Sequence, residues 1–447
     1  MLDNIIWIAR LMEIIVPSIP DEIWTQIIAY SAVYPDTRFC IIQVSKSMCR
    51  LAHASISRIN MHYCGISPNL LTLFPNLYAL STSCSIANIP VISRLLKLRI
   101  CKSCPEVIDL SAARLTSLSI LTHTDVILPM TIVKLVTICD ISLDLTAYTN
   151  LQCLEILSGR VTGYDRLPLL RSLRITGNCQ NIETMTQLDR LSIINNSSIT
   201  TLPPNITRLY MHECQKLDLS AQTMLSRLKI HHSDVGKLPS SLTMLNINSP
   251  RVTPVGHLTN LRTLIVLDMI HPDVTSLTRL EILHMGYRKQ EFTSSFPFSS
   301  LRTLKVSSWT HMSTIRAEIS TLSNLRKLKL GAGCALSVYY LVKLPMIESL
   351  SMTSWDTYQK GVEALTSLTN LTSLSVPHAN CIEGIDFTML SSLRKLKLEL
   401  AISSPVRLPL YVALYVKKLN IPLDRCDDYM IPRVMHHHII NAVTGIY

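Results

Sequence analysis

Apolar residues recur along this chain in a fixed register. A hexamer of the form aliphatic-x-x-aliphatic-x-aliphatic starts at residues 77, 95, 115, 132, 151, 170, 188, 206, 225, 242, 261, 280, 301, 325, 347, 371, 393 and 416. Leu170-Arg-Ser-Leu-Arg-Ile175 and Leu325-Arg-Lys-Leu-Lys-Leu330 show it most clearly. Steps of 17 to 24 residues are too short for a pair of helices but fit one short strand and a return segment. Side chains alternate along a strand, so Leu173 and Ile175 turn to one face while Ser172 and Arg174 turn to the other. One such strand cannot bury its apolar face alone. Stacking copies about 4.8 Å apart gives each strand a neighbour and the stack a continuous core. The pattern predicts an α/β solenoid over residues 67–421, with a parallel sheet of about 18 strands and the fourth and sixth hexamer positions inside.

Step length separates two kinds of return. The first eleven steps span 17 to 20 residues, which leaves room only for an extended or 3₁₀ return. The last six span 21 to 24 and admit about two helical turns at 1.5 Å of rise per residue. Proline precedes several early strands, as in Leu202-Pro-Pro-Asn-Ile206, where its fixed φ and missing donor are tolerated.

This register resembles the leucine-rich repeat, and its short steps resemble the FNIP-type repeats of amoebae and giant viruses. The resemblance implies that the exposed strand face is the concave, ligand-binding side. It also implies an asparagine after each strand. Here Asn178 and Asn196 stand there, with Cys214 as a substitute, so a regular asparagine ladder is not expected.

The N-terminal flank reads differently. Residues 1–18 are apolar but include Asp3, Arg10 and Glu13; they lack a basic leader, are too short to span a bilayer, and are expected to form a helix. Pro20 at a helix start, Asp21 and Glu22 in the first turn, and Ile23, Ile27 and Ile28 on one face predict an amphipathic helix. A second helical stretch is expected from Asp36 to His53, and residues 422–447 remain as a C-terminal cap. Ile19-Pro-Asp-Glu-Ile23, followed by Val44-Ser-Lys-Ser-Met-Cys-Arg-Leu51, resembles an F-box, which gives a helical module over 19–66. That resemblance implies that Ile19, Pro20, Glu22, Ile23, Ile27 and Val44 dock a Skp-type adaptor of a cullin complex. The alternative is a helical cap that only covers the first repeat's edge.

Composition narrows the function. With 12 glycines and no GxxxxGK[ST], GxSxG or HExxH, neither an enzyme nor a cofactor is expected. Cys101 and Cys104 have the spacing of half a zinc site without its other half, and His436, His437 and His438 form one short run, so no metal is expected. Thirteen cysteines without a disulfide-framework spacing point to reduced thiols and an intracellular place, cytoplasmic or nuclear, in a host cell if the protein is viral. No membrane association is expected.

Charge changes the picture most. The third and fifth hexamer positions hold fourteen basic residues and one acid, Glu155, an excess larger than the net charge of +11. Four of them are Lys97, Arg99, Lys134 and Lys418. The others are Arg174, Arg190, Arg208, Arg227, Lys229, Lys305, Lys327, Lys329, Lys395 and Lys397, which together with Tyr210 are expected to bind a target. Tyr210, Ile265, Ile282 and His284 interrupt the cations and offer apolar anchors. Like charges side by side in a sheet are unfavourable, while Arg forks match carboxylate and phosphate. The expected function is therefore a non-catalytic substrate-recognition subunit of a cullin-RING, SCF-type ubiquitin ligase that binds an acidic or phosphorylated protein. A stand-alone interaction scaffold or decoy is the alternative. Nucleic acid ranks behind both because stacking rings are sparse on the face.

Overall fold

The computed structural model describes residues 58–61, 77–82, 95–101, 107–121, 126–138, 142–158, 160–177, 181–196, 198–249, 254–267, 274–287, 299–308, 321–332, 341, 343–352, 362–376, 389–398 and 413–416. The chain divides into two compact units, Met1–Ile206 and Thr207–Tyr447. In the first, eight short strands pair in parallel, each with the next along the chain: Arg58–Met61, Ala79–Thr82, Lys97–Ile100, Ser117–Ile120, Lys134–Thr137, Cys153–Ile156, Ser172–Thr176 and Arg190–Ile194. In the second, eleven do the same: Arg208–His212, Arg227–His231, Met244–Asn248, Thr263–Val266, Ile282–Tyr287, Thr303–Ser308, Lys327–Ala332, Ser349–Met352, Ser373–Val376, Lys395–Leu398 and Ala413–Val416. From Ala79 to Lys395 every one of these strands begins at the third position of a hexamer, and like positions face one another, as in Leu228 opposite Leu245.

Both ends of the register differ from expectation. Arg58–Met61 pairs with Ala79–Thr82, so the sheet starts within the stretch read as a helical module. Ile56-Ser-Arg-Ile-Asn-Met61 carries the same hexamer. At the other end Lys395 faces Ala413 and Leu398 faces Val416, so the described strand follows a hexamer that begins at residue 411 instead of 416, and Lys418 lies outside the described residues. Tyr411-Val-Ala-Leu-Tyr-Val416 and Val416-Lys-Lys-Leu-Asn-Ile421 both satisfy the apolar pattern, and pairing with the preceding strand selects the former. The N-terminal helix over 1–18, the F-box-like residues from Ile19 to Val44 and the cap over 422–447 lie outside the described residues.

The first, fourth and sixth positions build the core. Leu225, Leu228 and Ile230 are each no more than 2% exposed. Thr82 and Thr137 take the sixth position in two coils and are buried as well. The return is a chain of i to i+3 turns: Leu258 donates its amide to Val255 at 3.0 Å and Leu261 donates to Leu258 at 2.9 Å. Such turns bring residues three apart onto one side, and all three of these side chains are buried. In the first unit two-strand parallel ladders run on the return side, Ile108–Asp109 with Val126–Ile127 and Ser142–Asp144 with Arg160–Thr162. The long repeats were expected to return through helix. Among their described residues Leu341 is α-helical and Val362–Ser367 is 3₁₀, and most of the other returns fall outside the described residues.

Asparagine bridges between coils occur in five separate repeats, one residue before the hexamer instead of after the strand. Asn150, Asn205, Asn260, Asn324 and Asn370 donate Nδ2 to the carbonyls of Met130, Thr186, Ser240, Ser299 and Pro345, at 2.6 to 3.3 Å. Each bond joins equivalent sites of neighbouring coils and satisfies a carbonyl that the turn leaves without a partner. After the strand the polar position is mixed. Asn196 is buried, accepts from the amides of Ser198 and Ile199, and donates to the Gly177 carbonyl. The Cys214 amide donates instead to Ser233 Oγ of the next coil at 2.9 Å.

Candidate functional site on the exposed strand face

The target-binding residues of the sequence reading all project from the strand face opposite the core. Arg174, Arg190, Arg208, Arg227, Lys229, Lys327, Lys329 and Lys395 are exposed, and Tyr210, Lys305 and Lys397 are half-buried. Arg208 and Arg227 are Cα partners on adjacent strands, whereas Arg190 belongs to the first unit and faces Ser172.

Acids pair with some of these cations and not with others, and Lys97 and Arg99 of the first unit form no ion pair among the described residues. In the first unit Glu155 lies 3.2 Å from Lys134 and 3.9 Å from Arg174, and Arg190 pairs with Asp189 at 3.3 Å. These side chains are solvent-accessible, so each pair contributes about 0–1 kcal/mol and mainly lowers the local field. In the second unit Arg208, Arg227, Lys229, Lys305, Lys327 and Lys329 form no ion pair among the described residues. Arg262 with Glu281, 3.1 Å apart, and Arg326 with Glu348 instead pair along the second hexamer position. The strand-face cations there are left to attract something else.

Around Arg208 and Arg227 the site holds aromatic rings. Lys229 Nζ sits 5.0 Å from the centre of the Tyr210 ring. The His212 and His231 rings lie 6.2 Å apart at 27° between planes, and the Tyr210 ring meets His231 edge-on at 5.7 Å. His212 Nδ1 and His231 Nε2 are buried without a hydrogen-bond partner, as is Asn246 Oδ1 on the next strand. These three residues escaped the sequence reading. The strands here run to five residues, so the residue directly after the hexamer joins the third and fifth positions on the exposed face and brings His212 and His231 with it.

A second cationic group, Lys305, Lys327 and Lys329, lies further along the same unit. His284 faces Lys305, and Lys305 faces Lys329. Between the two groups the face is neutral: Met244, Thr263 and Ile282 are partners along one row, and Asn246, Ile265 and His284 along the next. Met244, Ile265 and Ile282 are half-buried. Among the described residues no cluster of three or more His, Cys, Asp or Glu is arranged to hold a metal ion, and Cys101, Cys153 and Cys214 form no disulfide.

Burial, followed by the charge of Lys229, then His212 and His232, pushes the His231 imidazole below its ordinary range. Burial, then Lys305 and Lys329, does the same to His284. A histidine with a depressed folded pKa takes up a proton less readily than it does in the unfolded chain, so stability falls as pH drops below about 6.5. The double substitution of His231→Asn and His284→Asn is therefore expected to flatten the fall in melting temperature between pH 7 and pH 5. An unchanged slope would mean that other groups set the pH dependence.

The geometry defines a repeat protein of the leucine-rich kind: short parallel strands in register, an aliphatic core and turn-like returns. Solved structures match the chain at low identity. A leucine-rich repeat protein of Leptospira interrogans is 16% identical, with 74% of this chain and 86% of that one covered and a TM-score of 0.39. TLR13, in its complex with ssRNA13, is 14% identical, with 82% and 77% covered and a TM-score of 0.45. An internalin of Listeria monocytogenes is 14% identical, with 83% and 89% covered and a TM-score of 0.25. No protein-family model and no curated protein matches the chain. Among the described residues no helix is long and apolar enough to cross a membrane.

Proposed function

We propose that this chain is a non-catalytic recognition protein whose exposed strand face binds an acidic or phosphorylated protein segment. The observation behind the reading is the row of second-unit cations, Arg208, Arg227, Lys229, Lys305, Lys327 and Lys329, that no acid of the described residues pairs with. Because neighbouring like charges in a sheet oppose folding, a counter-charged ligand relieves them on binding. The F-box-like sequence at Ile19, Pro20, Glu22, Ile23, Ile27 and Val44 adds the second half of the proposal. The chain acts as substrate receptor of an SCF-type ubiquitin ligase, and a Skp-type adaptor and cullin bring the catalytic subunits to the bound target. Its role is then to raise the target's effective concentration beside them.

Adaptor recovery from a eukaryotic lysate tests this half. Recovery by the wild-type chain, and its loss when Pro20 and Ile23 are both changed to Ala with the circular dichroism unaltered, is the expected result. Equal recovery by wild type and variant would remove the adaptor assignment. Recovery by neither would leave a stand-alone interaction scaffold. For the face itself, changing Arg208, Arg227 and Lys229 to Glu is expected to abolish binding to acidic ligands without loss of fold. Raising ionic strength toward about 1 M, where the screening length is about 3 Å, is expected to weaken the wild-type complex in the same direction.

A further inference from the structure

The second unit's strand face alternates in character along the stack, and that alternation specifies a ligand. One cationic group lies on the strands Arg208–His212 and Arg227–His231, the other on Thr303–Ser308 and Lys327–Ala332. The three strands between them, Met244–Asn248, Thr263–Val266 and Ile282–Tyr287, carry no lysine, arginine or acidic residue at the third or fifth position, where Thr263, Asn246 and His284 are the polar members. Their half-buried Met244, Ile265 and Ile282 form an apolar floor. Four strand spacings of about 4.8 Å separate Lys229 from Lys305, a span of about 19 Å. An extended peptide advances about 3.3 Å per residue, so about six residues bridge that distance. An even separation matters because alternate side chains of an extended peptide share a face.

We infer that this face takes an extended peptide with two acidic side chains, carboxylate or phosphoryl, six residues apart, and apolar side chains two and four residues after the first acid. The first acid sits among Arg208, Arg227 and Lys229 and the second among Lys305, Lys327 and Lys329. The apolar pair rests on Met244, Ile265 and Ile282. Orphaned polar atoms on the same face fit such a ligand: Asn246 Oδ1 has no donor, and His212 Nδ1 and His231 Nε2 have no partner beside the first acid's place. A nucleic-acid strand fits poorly, because it would bring a phosphate at every step over a floor without lysine or arginine to meet it. The inference rests on the acidic-ligand reading above and narrows it to a spacing.

Fluorescence anisotropy with the full chain and labelled synthetic peptides decides it. The reference peptide has Glu at both ends of the six-residue separation with Leu at the two inner positions, and phosphoserine replaces Glu in a second arm. Moving one acid to three residues from the other, at constant composition, is expected to weaken binding at least tenfold. Ile265→Asp is expected to do the same, and so is Lys305→Glu with Lys329→Glu, while Lys97→Glu in the first unit changes little. If the shortened spacing or the Ile265 variant binds like the reference, the two-point geometry is wrong although the acidic-ligand reading stands. If no acidic peptide of any spacing binds and a single-stranded oligonucleotide does, the acidic-protein reading itself fails, and the inference with it.

Discussion

Leu228→Asp is expected to unfold the coils on either side of strand Arg227–His231. Leu228 is 2% exposed and packs in register with Leu209 and Leu245 on the adjoining strands. A carboxylate there must stay charged in an apolar stack or take up a proton. Displacing a carboxyl pKa by about three to five units at about 1.4 kcal/mol each amounts to roughly 4–7 kcal/mol at neutral pH, before the lost packing is counted. That is comparable with the whole stability of many domains. In a coil each repeat leans on its neighbours, so the damage spreads along the stack and does not remain at one residue. Hydrogen exchange should show protection lost across Arg208–His212, Arg227–His231 and Met244–Asn248. Leu228→Met, close in volume, should cost less than about 1.5 kcal/mol. A melting temperature for the Asp variant within a degree or two of wild type would contradict the buried register.

The second large effect is expected at a glycine. A Cβ added at Gly331 would run into the backbone of Ser307 on the adjoining strand, at its carbonyl oxygen, and a backbone atom cannot swing away as a side-chain end can. Gly331→Asn is therefore expected to cost about 3 kcal/mol or more and to loosen the pairing of Thr303–Ser308 with Lys327–Ala332. Gly177→Asn is the matched control. Gly177 has φ of 82° but open space around the missing Cβ. Asn tolerates that left-handed region and already occupies it at Asn195, with φ of 53°, so this change should be close to neutral. Similar losses at both positions, measured by chemical denaturation, would show that contact with Ser307 is not what excludes a side chain at Gly331.

Residue type and spacing alone determined the coil. The hexamer register located the strand's share of the core from Leu77 to Leu396, because alternation in a strand leaves the fourth and sixth residues no second face to choose, but not the buried residues of the returns such as Val255 and Leu258. It likewise placed Arg208, Arg227, Lys229, Lys305, Lys327 and Lys329 on the opposite face. At the ends the pattern was ambiguous. Two overlapping apolar hexamers compete near residue 416, and the hexamer at Ile56 lies next to a stretch that also reads as helix. Only pairing with a formed neighbour strand resolves such a choice, since the free energy resides in the ladder and not in the segment.

Tertiary structure also decided which charges are spent. Glu155 and Asp189 neutralise first-unit cations that look identical in sequence to those of the second unit, because proximity across coils depends on register and rotamer. The asparagines that bridge coils were present in the sequence as Asn150, Asn205, Asn260, Asn324 and Asn370, each directly ahead of an aliphatic residue. Their meaning came from the carbonyls they reach in the coil before. His212, His231 and Asn246 became a site for a similar reason. They are far apart along the chain, and parallel stacking in register is what sets them side by side on one face.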